Sequence, residues 1–117
     1  MNKNLINNMS FLERKKEANN ILEKYPDRVP IIFQPHDSSK YNFLITDTKF
    51  LIPKLFTIGQ FIFFIRKRIN LSPEKAIFIF IHGFIPPISA LVGDIYSYHK
   101  DNDNFLYITY SFENTFG

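Results

Sequence analysis

Residues 57–69 read TIGQFIFFIRKRI, and this stretch decides the fold. Thr57 and Gln60 stand at capping-box spacing: the hydroxyl can accept the backbone N–H of Gln60 while the Gln60 side chain accepts that of Thr57. Ile58, Phe61, Ile62, Ile65 and Ile69 then recur on one face of an α-helix. Arg66, Lys67 and Arg68 fall in the last turns, where cations interact well with the helix dipole, so they need no partner to explain them. Phe63 and Phe64 cannot both share the Ile58 face, and at least one should point elsewhere, for instance into a pocket wall.

Reading outward, apolar segments flank this helix on both sides. Residues 50–52 form a short strand, and Pro53 puts its end, or one edge, outside the hydrogen-bond ladder. Residues 29–33 form the first strand, with Pro30 at a strand start or on an edge, and residues 34–42 (QPHDSSKYN) form a loop. Before them, Ser10 and Glu13 make a second capping box, which starts a helix near Phe11 that Pro26 stops. On the far side, Ser72-Pro73-Glu74 suggests a short helical turn. Residues 76–81 are unbroken apolar, which reads as a central strand buried on both faces. Pro86-Pro87 breaks the chain before a short helix at residues 89–98. A turn at residues 101–104 then leads to a final strand at residues 105–110.

The fold class is therefore α+β, with the element order of a ubiquitin-like β-grasp and an additional N-terminal helical segment. A ferredoxin-like split fold would need a longer second helix than residues 89–98 supply. Residues 1–26 are expected to pack as a helical segment on the core, residues 27–112 to form the β-grasp, and residues 113–117 to form a flexible tail, all within one domain.

Composition narrows the function. The 117 residues are 45% hydrophobic and 21% charged, enough apolar material for a core and too little charge for a disordered chain. Cysteine is absent, which excludes disulfides, thiolate metal sites and cysteine nucleophiles and makes the cytoplasm the default setting. Fourteen Lys and Arg against eleven Asp and Glu give a net charge of +3, too modest a field to imply nucleic acid. The clusters Arg14-Lys15-Lys16 and Arg66-Lys67-Arg68 read as solvated helix faces. No apolar run approaches the roughly 20 residues of a membrane span, and the first residues lack the apolar core of a secretory signal.

Catalytic groups are thin. His36-Asp37-Ser38-Ser39 holds the residue types of a hydrolase triad, but adjacent on one polar loop instead of converging from the fold. His36, His82 and His99 lack metal-site spacing, and the glycines at 59, 83, 93 and 117 form no phosphate loop. No enzyme activity, metal or cofactor is expected. What stands out is residues 110–117, YSFENTFG, which carry a final glycine. A glycyl carboxylate with no Cβ beside it suits a narrow active site that adenylates a carboxylate and passes it to a thiol. With a β-grasp, this suggests a modifier.

Several blocks carry a resemblance: Tyr25-Pro26-Asp27-Arg28-Val29-Pro30, Phe50-Leu51-Ile52-Pro53, Thr57-Ile58-Gly59-Gln60-Phe61, Ile65-Arg66-Lys67-Arg68-Ile69, Ile85-Pro86-Pro87 and Phe105-Leu106-Tyr107-Ile108. With Glu74 to Phe80 and Glu113 to Gly117, they cover nearly everything from Phe11 onward. The chain resembles the autophagy-related protein 8 family of ubiquitin-like modifiers, which includes the GABA-receptor-associated protein and microtubule-associated protein light chain 3 branches. The resemblance implies a β-grasp with two N-terminal helices and conjugation of Gly117 to the amine of phosphatidylethanolamine. The implied partners are an activating enzyme, a conjugating enzyme, a deconjugating cysteine protease, motif-bearing cargo receptors and other autophagy proteins. Lipidation would place the protein on autophagosome and other vesicle membranes.

The resemblance also implies docking of aromatic-x-x-aliphatic motifs along the edge of strand 49–52. The aromatic pocket would involve Glu17, Ile21, Pro30, Lys49, Leu51 and Phe105. The aliphatic pocket would involve Phe50, Ile52, Pro53, Phe56, Phe61 and Phe64, with Arg28 nearby for an acidic residue of the motif. Three departures stand out: Thr46-Asp47-Thr48 where the family is usually basic, His82-Gly83-Phe84 where it is polar, and Phe112 where it is small or acidic. An unconjugated peptide-binding module, or the same conjugation serving another organelle such as a plastid, are the competing expectations.

Overall fold

The computed structural model describes residues 8–36 and 48–112. Helix α1 (Phe11–Lys24) starts at the expected capping box, in which Ser10 Oγ accepts from the Glu13 N–H at 3.1 Å and Glu13 Oε1 accepts from the Ser10 N–H at 2.8 Å. Strands β1 (Arg28–Pro35) and β2 (Thr48–Pro53) follow, then α2 (Ile58–Arg68), β3 (Phe78–Phe80), α3 (Val92–His99) and β4 (Leu106–Ser111). The Thr57–Gln60 box caps α2 with bonds of 3.1 and 2.8 Å. The resemblance implies two N-terminal helices; α1 is one, and residues 1–7 lie outside the described residues.

The four strands form one mixed sheet in the order β2-β1-β4-β3. β1 is antiparallel to β2 and parallel to β4, and β3 is antiparallel to β4. Period-two alternation sorts the side chains onto two faces. One face carries Val29, Ile31, Phe33, Phe50, Ile52, Leu106, Ile108 and Tyr110, which pack with α2 and α3 into the main core. There Phe33 stacks on Tyr110 at 4.7 Å and meets Phe61 edge-on at 5.7 Å. The other face packs Ile32 and Phe105 beneath Ala18 and Ile21 of α1.

Four expectations change. The run 76–81 is not a central strand: β3 has three residues and sits at an edge, while β1 and β4 are central. An unbroken apolar run reports that both faces are covered, as burial of Ile79 and Phe80 shows, and says nothing about whether both edges are paired. Gln34 and Pro35 leave the predicted loop and extend β1, because they pair with Thr109 and Tyr110; residues 37–47 lie outside the described residues. Ser72-Pro73-Glu74 is a single turn, closed by Lys75 N–H to Ser72 O at 3.1 Å. α3 starts later than residue 89 because the preceding segment pairs with the α2 entry instead, through Ile58 N–H to Ala90 O at 2.8 Å and Gly59 N–H to Ile88 O at 2.9 Å. Pro30 behaves as expected of a proline at an unpaired edge, since β4 joins β1 only at Ile31. No helix among the described residues is long and apolar enough to cross a membrane.

Candidate functional site: a two-faced groove along an edge strand

β2 is an edge of the sheet, so among the described residues its outer side faces no further strand. Its side chains alternate around that edge. Lys49 and Leu51, opposite Ile32 and Pro30 on β1, turn toward α1. Phe50 and Ile52, opposite Ile31 and Val29, turn toward α2. The side chains on the two faces of this strand define two candidate clefts, one beside α1 and one beside α2.

In the α1 cleft, Pro30, Ile21 and Phe105 are buried and form the floor, with half-buried Leu51 packed beside them. Lys49 Nζ donates to Glu17 Oε2 across the mouth. Both partners are about one-third exposed, so the pair contributes on the order of 0–1 kcal/mol and is readily parted. Ile32, absent from the expected set, also lines this floor. Its signal was available: it stands two residues beyond Pro30 on the same strand face.

In the α2 cleft, Phe61 and Ile52 are buried, and Phe50 is only 6% exposed, so these three are floor. Pro53, Phe56 and Phe64 are half-buried and form the accessible wall. Phe64 meets the Phe50 ring edge-on at 5.5 Å, and the Arg68 guanidinium lies over the same ring at 5.4 Å. Arg68 was expected only as a solvated cation; its position four residues after Phe64, hence on the same helix side, was the overlooked signal. Arg28 faces Pro53 across the ladder and places its guanidinium over Tyr25 at 5.9 Å, beside the strand end.

The histidines lie elsewhere. His36 packs on Phe80 at 4.9 Å, and the rest of the His36–Ser39 run is outside the described residues. His82 and His99, distant in sequence, come together with rings 5.7 Å apart, and His82 Nε2 lies 2.9 Å from the His99 carbonyl oxygen. No three His, Asp or Glu side chains among the described residues form a group that could hold a metal.

To the four-stranded mixed sheet, the helix α1 packed on one of its faces and the exposed edge of β2, a further observation is added. The family model described as "Autophagy protein Atg8 ubiquitin like" matches residues 13–117. The chain belongs to the Atg8 family. It is 56% identical over 108 residues to autophagy-related protein 8 of Schizosaccharomyces pombe, covering 92% of this chain and 88% of that protein. It is 54% identical over 107 residues to autophagy-related protein 8 of Coccidioides immitis, covering 92% and 91%. The crystal structure of Trypanosoma brucei ATG8 superimposes with a TM-score of 0.80 at 40% identity, covering 94% of each chain. The α+β, ubiquitin-like β-grasp with its N-terminal helix is thus the Atg8 fold. Gly117 lies outside the described residues. Phe112, the last described residue, is half-buried with its ring 5.7 Å from Tyr110, so this departure from the family pattern packs against the core.

Proposed function

We propose that this Atg8-family protein, a ubiquitin-like protein of autophagy, is a modifier conjugated through Gly117 to phosphatidylethanolamine and, once on the membrane, an adaptor for aromatic-x-x-aliphatic motifs. In the conjugation, partner enzymes adenylate the glycyl carboxylate with release of pyrophosphate. A cysteine thiol then displaces AMP, and the lipid amine displaces the thiol to leave an amide. The chain supplies only the carboxylate, in keeping with a protein that is substrate and scaffold and not an enzyme. Two acyl chains would hold it stably on autophagosome and vesicle membranes, with a cytoplasmic pool before conjugation.

The observation that carries the adaptor reading is that the side chains of one edge strand divide between opposite faces of the sheet, toward α1 and toward α2. A peptide that adds to β2 as a further strand has a two-residue side-chain period. Residues three apart on it point to opposite faces, so an aromatic can enter the α1 cleft while the aliphatic enters the α2 cleft. Two anchors at about 2 kcal/mol each and several backbone bonds at about 1 kcal/mol each, less ordering costs, suit a micromolar Kd.

Two measurements test the proposal. Gly117→Ala should abolish lipid-dependent membrane partitioning in cells; unchanged partitioning would sink the conjugation half. Titration of a motif peptide should show about tenfold weaker binding to Leu51→Ala and to Phe64→Ala. Equal affinity in both would mean that the peptide docks elsewhere. Tagged protein that ignores starvation and collects on another organelle would assign the same chemistry to a different membrane.

A further inference from the structure

One surface of α2 is used neither by the core nor by the groove. A residue step on a helix is about 100°, so Phe63 turns away from Phe64 and Lys67 away from Arg68. Phe63 is 61% exposed, with Lys67 Nζ 5.0 Å above its ring. Arg66 folds back to donate to the carbonyls of Ser72 and Pro73 at 2.9 and 3.4 Å, which holds the chain after α2 against the helix. Between them lies an open cleft of about 260 Å³, lined by Phe63, Arg66, Lys67, Asn70, Leu71 and Pro73. No carboxylate of the described residues ion-pairs with Arg66 or Lys67.

Its position says what it meets. Phe78, at the start of β3, pairs with Ser111 near the end of β4. Pro73 is five residues before Phe78, and Gly117 is five residues beyond Phe112. Five residues span at most about 17 Å, so Pro73 lies within that distance of Phe78, beside the end of β4 after which residues 113–117 follow in sequence. An anchored chain would therefore bring this surface toward the bilayer.

We infer that the Phe63–Lys67 cleft is a contact for an anionic membrane surface, with the two cations against lipid phosphates and Phe63 and Leu71 at the interface. This rests on the lipid-conjugation reading. It is argued from charge complementarity and from tethering distance, and it leaves the β2 groove free for a peptide at the same time.

The test exploits a chain without cysteine. Full-length protein with Gly117→Cys is coupled to a maleimide lipid, which bypasses the conjugation enzymes. Hydrogen exchange is followed on phosphatidylcholine vesicles with and without phosphatidylserine. Amides of residues 70–77 should exchange about tenfold more slowly on the anionic vesicles, and the slowing should vanish at high salt. Lys67→Glu and, separately, Phe63→Ser should remove it while leaving exchange in β1 and β4 unchanged. Equal exchange on the two vesicle types, or slowing that survives Lys67→Glu, overturns the inference. Slowing produced only by an acidic peptide in solution also overturns it and assigns the surface to a protein. Because the tether is chemical, failure of enzymatic conjugation at Gly117 would be seen separately and would leave this readout intact.

Discussion

Asp103 is 2% exposed, and three donors converge on it: Arg14 Nε at 2.9 Å, Tyr107 Oη at 2.6 Å and the Phe105 N–H at 3.0 Å. Arg14 also donates to the Met9 carbonyl at 2.8 Å, so one guanidinium ties the entry of α1 to the root of β4. The sequence shows Arg14 only as part of a basic run and Asp103 only as part of a turn. Their pairing spans most of the chain and leaves no local trace, which is why Arg14 is not the solvated cation its neighbours suggest. Asp103→Ala should cost about 3 kcal/mol, measured by chemical denaturation, because Arg14 and Tyr107 lose their acceptor together. Burial, then the Asp103 carboxylate, push the Tyr107 phenol well above its ordinary value. A folded-state pKa raised above the unfolded one contributes stability that is complete below about pH 10 and is lost as pH climbs through the folded value. Stability should therefore fall above about pH 10, and Tyr107→Phe should remove that part of the alkaline slope. An unchanged slope would show that Tyr107 does not carry it.

At the scale of elements, what is local was legible and what is collective was not. Both capping boxes are read from a pair of residues three apart, and both form. Thr57→Ala should cost about 1 kcal/mol in a urea titration, whereas Thr57→Ser should cost much less. The division of Phe63 from Phe64 was also readable, since helical spacing forbids a shared face; which of the two faces solvent depends on where β2 lies. The edge position of β3 was not readable, because the pattern of residues 76–81 encodes cover above and below and not neighbours to either side. For the groove, the family resemblance assigned the expected residues to two pockets. It did not separate floor from wall: Phe50 reads as a pocket contact and is packed beneath the surface in the fold, whereas the burial of Phe61 was already legible from its place on the Ile58 face of the helix.

The whole molecule places α1 on one face of the sheet and α2 with α3 on the other, and β1, β2 and β4 each contribute side chains to both layers, β2 from an edge. A motif peptide seated in both clefts would therefore bridge the two layers. At a ligand concentration of about a hundred Kd it should raise stability by ~2.7 kcal/mol, seen as a rise in Tm. Exchange should slow in α1 and in α2 alike. A peptide with its aromatic replaced by alanine should protect the α2 side more than the α1 side; symmetrical loss would argue against two separate clefts.

The parallel pairing of β1 with β4 carries a temporal meaning. β4 is the last strand in chain order, yet it lies between β1 and β3. Until it arrives, the growing polypeptide has β1 and β2 as a hairpin-like pair and β3 with no strand to join. Long-range closure of this kind is slow compared with helix formation. The sheet can therefore be completed only late in synthesis. A chain that stops before residue 106 would leave β1 with a single neighbour and β3 with none.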